Sequence, residues 1–240
     1  MRYSFLEGRN VVWDALRANR VIVEILLDRG ALGKKIDNIK REARKRGIPI
    51  AIERRKVLDK LSKTKNHQGV IAKANEVKKY TLKSLYGRSL GNCYILIKEV
   101  SYDQNLGAIL RTSLGANVSG VIVSGSRKSL INSQVERVSM GASNYVPVVN
   151  EGFYSTIKFF KKLGFKIIGI ESIGNKSYFE SDLTGNVLLI FGGEDKALGS
   201  ALKKECDEIL KIPMDFRLSS LNLSVSVGII LYEKLRQEVS

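Results

Sequence analysis

Three short segments carry side chains whose types and spacing can do chemistry. Asp103, Gln104 and Asn105, with Arg111 six residues further on, follow an apolar run at 93–100. Gly192, Gly193 and Glu194 follow a second run at 186–191, and Ser219, Ser220, Asn222, Ser224 and Ser226 follow a third at 208–214. In open α/β sheets ligands bind beyond the carboxyl ends of strands, so residues directly after such runs are the first candidates. The glycine pair lets the backbone turn sharply and approach a ligand, with the Glu194 carboxylate at the same edge. Each segment also has a plainer reading. Asn105 suits a helix N-cap, Arg111 a solvated helix cation, the glycines a turn, and the serines close packing or bonds back to preceding carbonyls. Neither GxGxxG nor GK[ST] occurs in the glycine segment, which argues against a dinucleotide fingerprint and a phosphate loop.

The elements that must position these residues follow from apolar patterning. From residue 93, strands at 93–100, 118–125, 145–149, 165–172, 186–191 and 208–214 alternate with helices at 105–116, 132–142, 153–164, 200–207 and 221–238. That alternation predicts an α/β domain with a mostly parallel sheet covered on both faces. Before it, residues 1–76 read as a small α/β unit: helices at 9–18, 34–47 and 53–62, and strands at 21–27, 48–52 and 69–74. Residues 77–92 have too few aligned apolar positions for a long element and read as a linker, so the larger α/β block is 93–240.

Charge separates the two blocks. Forty Lys and Arg against 24 Asp and Glu give a formal +16, a balance that favours a polyanionic partner. Residues 1–80 hold 21 basic and 9 acidic side chains, whereas 81–240 hold 19 and 15. Lys34, Lys35, Lys40, Arg41, Arg44, Lys45 and Arg46, then Arg54, Arg55 and Lys56, can contact phosphates without reading sequence; the alternative is solvated helix faces. Trp13 sits in an apolar helical pattern and reads as core. His67, the one histidine, lies in the basic block and reads as a contact to that polyanionic partner or a structural residue rather than a general base. Cys93 and Cys206 form neither a CxxC pair nor a zinc knuckle, which fits reduced thiols in a cytoplasmic protein. No run approaches 18 apolar residues and no signal-peptide pattern opens the chain, so neither a membrane span nor export is expected.

Together the three segments resemble the SpoU/TrmH class of RNA ribose 2′-O-methyltransferases, within the knotted SPOUT superfamily. DQNLGAILRTS resembles the first motif of that class, LLIFGGEDKALG the second, and IPM followed by SLNLSVS the third. The resemblance implies catalytic roles for Asn105, Arg111, Glu194, Ser220 and Asn222, with Arg111 contacting the target phosphate and ribose hydroxyl. It implies that S-adenosylmethionine lies bent against loops 190–199 and 212–221, held at Phe191, Gly192, Gly193, Ile212, Met214 and Leu221. The chain departs from the pattern at Phe216, where glycine is common, and at Leu223 and Ser226, where valine and alanine are. GRNVVWDAL and HQGV at 67–70 are similar to the class's ribosomal-protein-like RNA-binding domain; with that partner, Lys35, Arg41, Lys45, Arg46, Arg54 and Arg55 of the basic clusters, and His67, are the expected RNA contacts. Also implied are a deep C-terminal trefoil knot, a homodimer whose partner subunit helps to complete the site, and chemistry that requires no metal. A structured RNA, with a guanosine of large-subunit rRNA preferred, is the expected substrate. The rival readings are a tRNA ribose methyltransferase, a base methyltransferase of similar fold, and a catalytically silent RNA-binding or ribosome-assembly module.

Overall fold

The computed structural model describes residues 3–75, 80–87, 91–125, 130–193, 198–199 and 204–239. The chain forms two compact units. One comprises Met1–Lys78 with Ile131–Tyr145, the other Lys79–Leu130 with Val146–Ser240.

The first unit contains β1 (Tyr3–Glu7), α1 (Arg9–Arg17), β2 (Ile22–Asp28), α2 (Lys34–Lys45), β3 (Ile50–Glu53), α3 (Arg55–Leu61) and β4 (Val70–Asn75), and, from the inserted segment, α6 (Ser133–Val138). Its sheet runs β1-β4-β2-β3. The strand β4 is antiparallel to both neighbours, and β2 and β3 are parallel. Apolar residues at helical spacing explain the packing: Val11, Val12, Ala15 and Leu16 of α1 and Ile36, Ile39 and Ala43 of α2 are buried, with Trp13 packed against them. The strand β1 has no clear signature in the sequence because it ends on a charge. Glu7 is nevertheless buried, and its carboxylate accepts from the Ser62 hydroxyl at 2.6 Å, the Lys63 N–H at 2.8 Å, and the Thr64 N–H and hydroxyl at 3.1 and 2.6 Å. Burial pushes its pKa up, but these donors outweigh it and leave the group below its ordinary 4.5.

The inserted segment is held by a buried ion pair. Arg20 Nη1 lies 2.5 Å from Glu136 Oε1, and Arg20 Nη2 donates to the Ser4 hydroxyl at 2.6 Å and the Asn75 carbonyl at 3.0 Å. Nothing in the local pattern of 132–142 signals this partner 116 residues away.

The second unit contains α4 (Leu82–Tyr86), β5 (Cys93–Ile97), α5 (Asp103–Gly115), β6 (Gly120–Val123), β7 (Val148–Asn150), α7 (Phe153–Lys162), β8 (Lys166–Ile170), β9 (Lys176–Ser177), β10 (Val187–Phe191), β11 (Glu208–Lys211) and α8 (Leu223–Val239). Its sheet runs β7-β6-β5-β10-β8-β11-β9, and every neighbouring pair is parallel. The late strand β10 is inserted between β5 and β8. All residues of β5, β6 and β10 are buried, as expected of strands covered on both faces. The helices α5 and α8 pack on each other and bury Leu106, Ile109 and Leu110 against Val227, Ile230 and Leu231 of the same unit's core.

The segment 77–92, read from sequence as a linker, contains α4, whose Leu82 and Leu85 join the core with Tyr94, Leu96 and Phe160. A Thr81/Ser84 capping box starts the helix. A Cβ on Gly120 would come within 2.4 Å of Leu85, so glycine there admits the leucine. One and a half turns are too few for periodicity to register. The helix expected at 200–207 has half its length outside the described residues. Burial raises the Cys93 thiol to about 12 and that of Cys206 to about 11, which leaves both protonated and unreactive near neutral pH. Among the described residues no helix is long and apolar enough to cross a membrane.

Candidate active site

A cavity of 560 Å³ opens in the second unit, within the roughly 300–1,000 Å³ usual for small-ligand sites. It lies beyond the carboxyl ends of β8, β10 and β11 and beside the first turn of α5, where the strand order reverses around β10. Phe191, Gly192 and Gly193 line it from the end of β10, and Ile212, Met214 and Leu221 from the chain leaving β11. Asn105, Ser220 and Asn222 line it as well. Gly193 is closely approached: a Cβ there would lie 3.1 Å from the Glu99 Cβ just past the end of β5, tighter than an ordinary contact. Buried Phe191, Ile212 and Leu223 give one wall an apolar character, while serines and asparagines face it.

The two asparagines meet across 117 residues of sequence. Asn222 Nδ2 donates to Asn105 Oδ1 at 3.1 Å. The other end of the Asn222 amide caps α8, its Oδ1 accepting from the Ser224 N–H at 2.9 Å and the Ser224 hydroxyl at 2.7 Å. One side chain therefore starts the C-terminal helix and joins it to the first turn of α5. Asn105 is not the N-cap its position suggested; Tyr102 occupies that place, and Asn105 is the third helical residue. Ser219 and Ser226, in the polar cluster singled out after the third strand, also line the cavity, as does Leu223; sequence reading missed Tyr102, Ile170, Glu171 and Ser172, which line it too. Glu171 and Ser172 directly follow β8 and satisfy the same strand-end rule, so the signal for them was present. The Glu171 carboxylate accepts from the Leu198 N–H and so fixes the far end of the loop that follows β10.

The model of the SpoU rRNA methylase family matches residues 92–232, and that for RNA 2′-O ribose methyltransferase substrate binding matches 5–80. The chain belongs to the SpoU rRNA methylase family. It is 32% identical over 219 residues to the 23S rRNA (guanosine-2′-O-)-methyltransferase RlmB of Pectobacterium atrosepticum, with 90% of each chain covered. A crystal structure of an RNA 2′-O ribose methyltransferase superposes with a TM-score of 0.84 at 25% identity, covering 100% of this chain and 90% of the other. The SpoU methyltransferase AviRb from Streptomyces viridochromogenes, in complex with the cofactor AdoMet, gives 0.83 at 22% identity and covers 98% and 90%.

The other residues singled out by the SpoU pattern are placed unevenly. Arg111 is exposed on α5 but is not among the residues that line the cavity, as its six-residue offset from Asn105 dictates. Glu194 lies outside the described residues. Phe216, in the position where glycine is common, is 94% exposed with Arg217 stacked over it at 6.0 Å, so it occupies none of the cavity. On the first unit Arg41, Lys45, Arg54 and Arg55 are exposed. Lys35 and Arg46 are half-buried and engaged, with Asn10 at 2.5 Å and Glu42 at 2.7 Å. His67 requires a correction. Its side chain is 2% exposed, its Nε2 lies 3.0 Å from Asp59 Oδ1, and its Nδ1 accepts from the Gly69 N–H at 3.0 Å. A ring so enclosed shapes the turn before β4 and does not reach RNA.

Proposed function

We propose that this chain methylates the ribose 2′-hydroxyl of a guanosine in 23S rRNA, with S-adenosylmethionine as methyl donor. The observation that carries the reading is the one cavity that gathers Asn105, Ser220 and Asn222 with Phe191, Gly192, Gly193, Ile212, Met214 and Leu221. The names of the relatives and the AdoMet complex of a structural neighbour support the same chemistry. The donor set fits the cofactor: an apolar wall for an adenine, backbone at Gly192 and Gly193 that carries no Cβ of its own, and hydroxyls for the polar end. When bound, S-adenosylmethionine supplies a methyl group already activated by its sulfonium.

The chain's own task is then to align and activate a hydroxyl. As the 2′-oxygen bonds to the methyl carbon, the carbon–sulfur bond breaks and the hydroxyl proton must leave. Asn105 and Asn222, each held by the other, orient the ribose, and Ser220 borders the same space. Arg111 stays protonated in proteins. It serves by stabilising developing negative charge on the oxygen, with the proton passing to an RNA phosphate oxygen and on to solvent. Glu194 belongs to the same proposal, on the resemblance alone. Because Arg111 does not line its own chain's cavity, a homodimer in which the partner subunit helps to complete the site is part of the reading. A trefoil knot at the C-terminal end is another part, supported by the insertion of β10 between β5 and β8. So are a cytoplasmic location, an RNA-gripping role for residues 1–76 and a catalytic role for 93–240.

Ribose and base methylation are separated by alkali. A methyl on the 2′-oxygen blocks the internal attack that cleaves RNA, so label from S-adenosylmethionine should appear in an alkali-resistant dinucleotide. Label in a mononucleotide would mean base methylation and would overturn the proposal.

A further inference from the structure

We infer that Tyr102 is the platform on which the base of the target nucleotide stacks, an inference that rests on the RNA ribose reading above. Tyr102 lines the cavity yet is 62% exposed, so its ring stands at the mouth and not in the wall. The other aromatic lining residue, Phe191, is only 2% exposed and is sealed into β10. Tyr102 precedes α5, and Asn105 lies one turn further along the same side of that helix, so the ring and the amide share one edge of the cavity. The side chain has no capping role at the helix start. Nor, among the described residues, does the ring have a place in the core.

The reaction gives the ring a task. On this reading the ribose enters the cavity with its nucleotide taken out of the RNA stack, and the base then loses the faces that covered it. Proteins that hold single RNA bases restore one face with an aromatic ring. In the apolar wall, Phe191 and Ile212 lie in the segments at the ends of β10 and β11 that are assigned to the cofactor and Leu223 opens α8, whereas Tyr102 belongs to none of these. The adenine and the target base are thereby given separate surfaces.

The test compares Tyr102→Ala and Tyr102→Phe with the wild-type full chain, using in-vitro-transcribed 23S rRNA and labelled S-adenosylmethionine. Tyr102→Ala is expected to lower kcat/KM for the rRNA about tenfold or more, with Kd for S-adenosylmethionine within about twofold of wild type. Tyr102→Phe, which keeps the stacking face, is expected to retain activity within about threefold. Tyr102→Ala with wild-type kcat/KM would overturn the inference. So would a weakened cofactor Kd, which would assign the ring to the adenine, or a Phe variant as impaired as the Ala variant, which would assign the role to the hydroxyl. A wild-type chain that labels no RNA would instead overturn the ribose reading itself, and this inference with it.

Discussion

Asn222 performs two tasks with one amide, and they can be separated chemically. Its Oδ1 caps α8 and its Nδ2 holds Asn105. Asn222→Ser keeps a capping oxygen but removes the donor, so the fold should lose no more than a few tenths of a kcal/mol while methyl transfer falls at least about tenfold. Asn222→Ala removes both and should additionally cost about 1 kcal/mol, read as a lower melting temperature. If the serine variant kept full activity, the Asn105 contact would be merely structural. At this scale the sequence was most readable where a residue directly follows a strand. Gly192, Gly193 and Ser220 were found by that rule, and Glu171 and Ser172 could have been. What no local pattern contains is the meeting of Asn105 with Asn222, because sheet closure creates it. The burial of His67 was equally hidden, since its partner Asp59 lies on the opposite side of a loop whose path periodicity does not give.

Among elements, the alternation of apolar strands and helices from residue 93 was legible because strands buried on both faces read as unbroken apolar runs. Their order was not. The insertion of β10 between β5 and β8, the two-residue β9 and the docking of 131–145 on the first unit depend on contacts far apart in sequence. The strand β1 was missed for a related reason: Glu7 looks like a breaker until the donors of 62–64 surround it. Those bonds make a pH prediction. Glu7 sits below its ordinary 4.5, so its contribution is fully present above that value and is lost as pH falls through the lower folded value. Glu7→Gln should therefore destabilise the first unit by about 1–3 kcal/mol at pH 7, with the difference from wild type shrinking as the pH is lowered below 4.5. Amide hydrogen exchange across residues 62–75 reads this locally. A difference independent of pH would mean that shape rather than charge holds the loop.

For the whole molecule, the concentration of positive charge in residues 1–80 was read directly from composition, but which cations can reach a phosphate was not. Lys35 and Arg46 are engaged within the first unit, whereas Arg41, Lys45, Arg54 and Arg55 are exposed. Replacing Lys45, Arg54 and Arg55 together by Gln should flatten the salt dependence of RNA binding, the slope of log K against log salt falling by about 0.7–0.9 for every phosphate the variant no longer neutralises, without weakening S-adenosylmethionine binding. An unchanged slope would remove the RNA-gripping role from this face. The central claim, methyl transfer to a ribose of 23S rRNA, is tested most directly by incubating the full chain with labelled S-adenosylmethionine and, in parallel, unmodified 23S rRNA and bulk tRNA, and mapping the labelled nucleoside. The account expects 2′-O-methylguanosine at one position of the 23S rRNA and none in tRNA; label confined to tRNA, or absent from both, would contradict it.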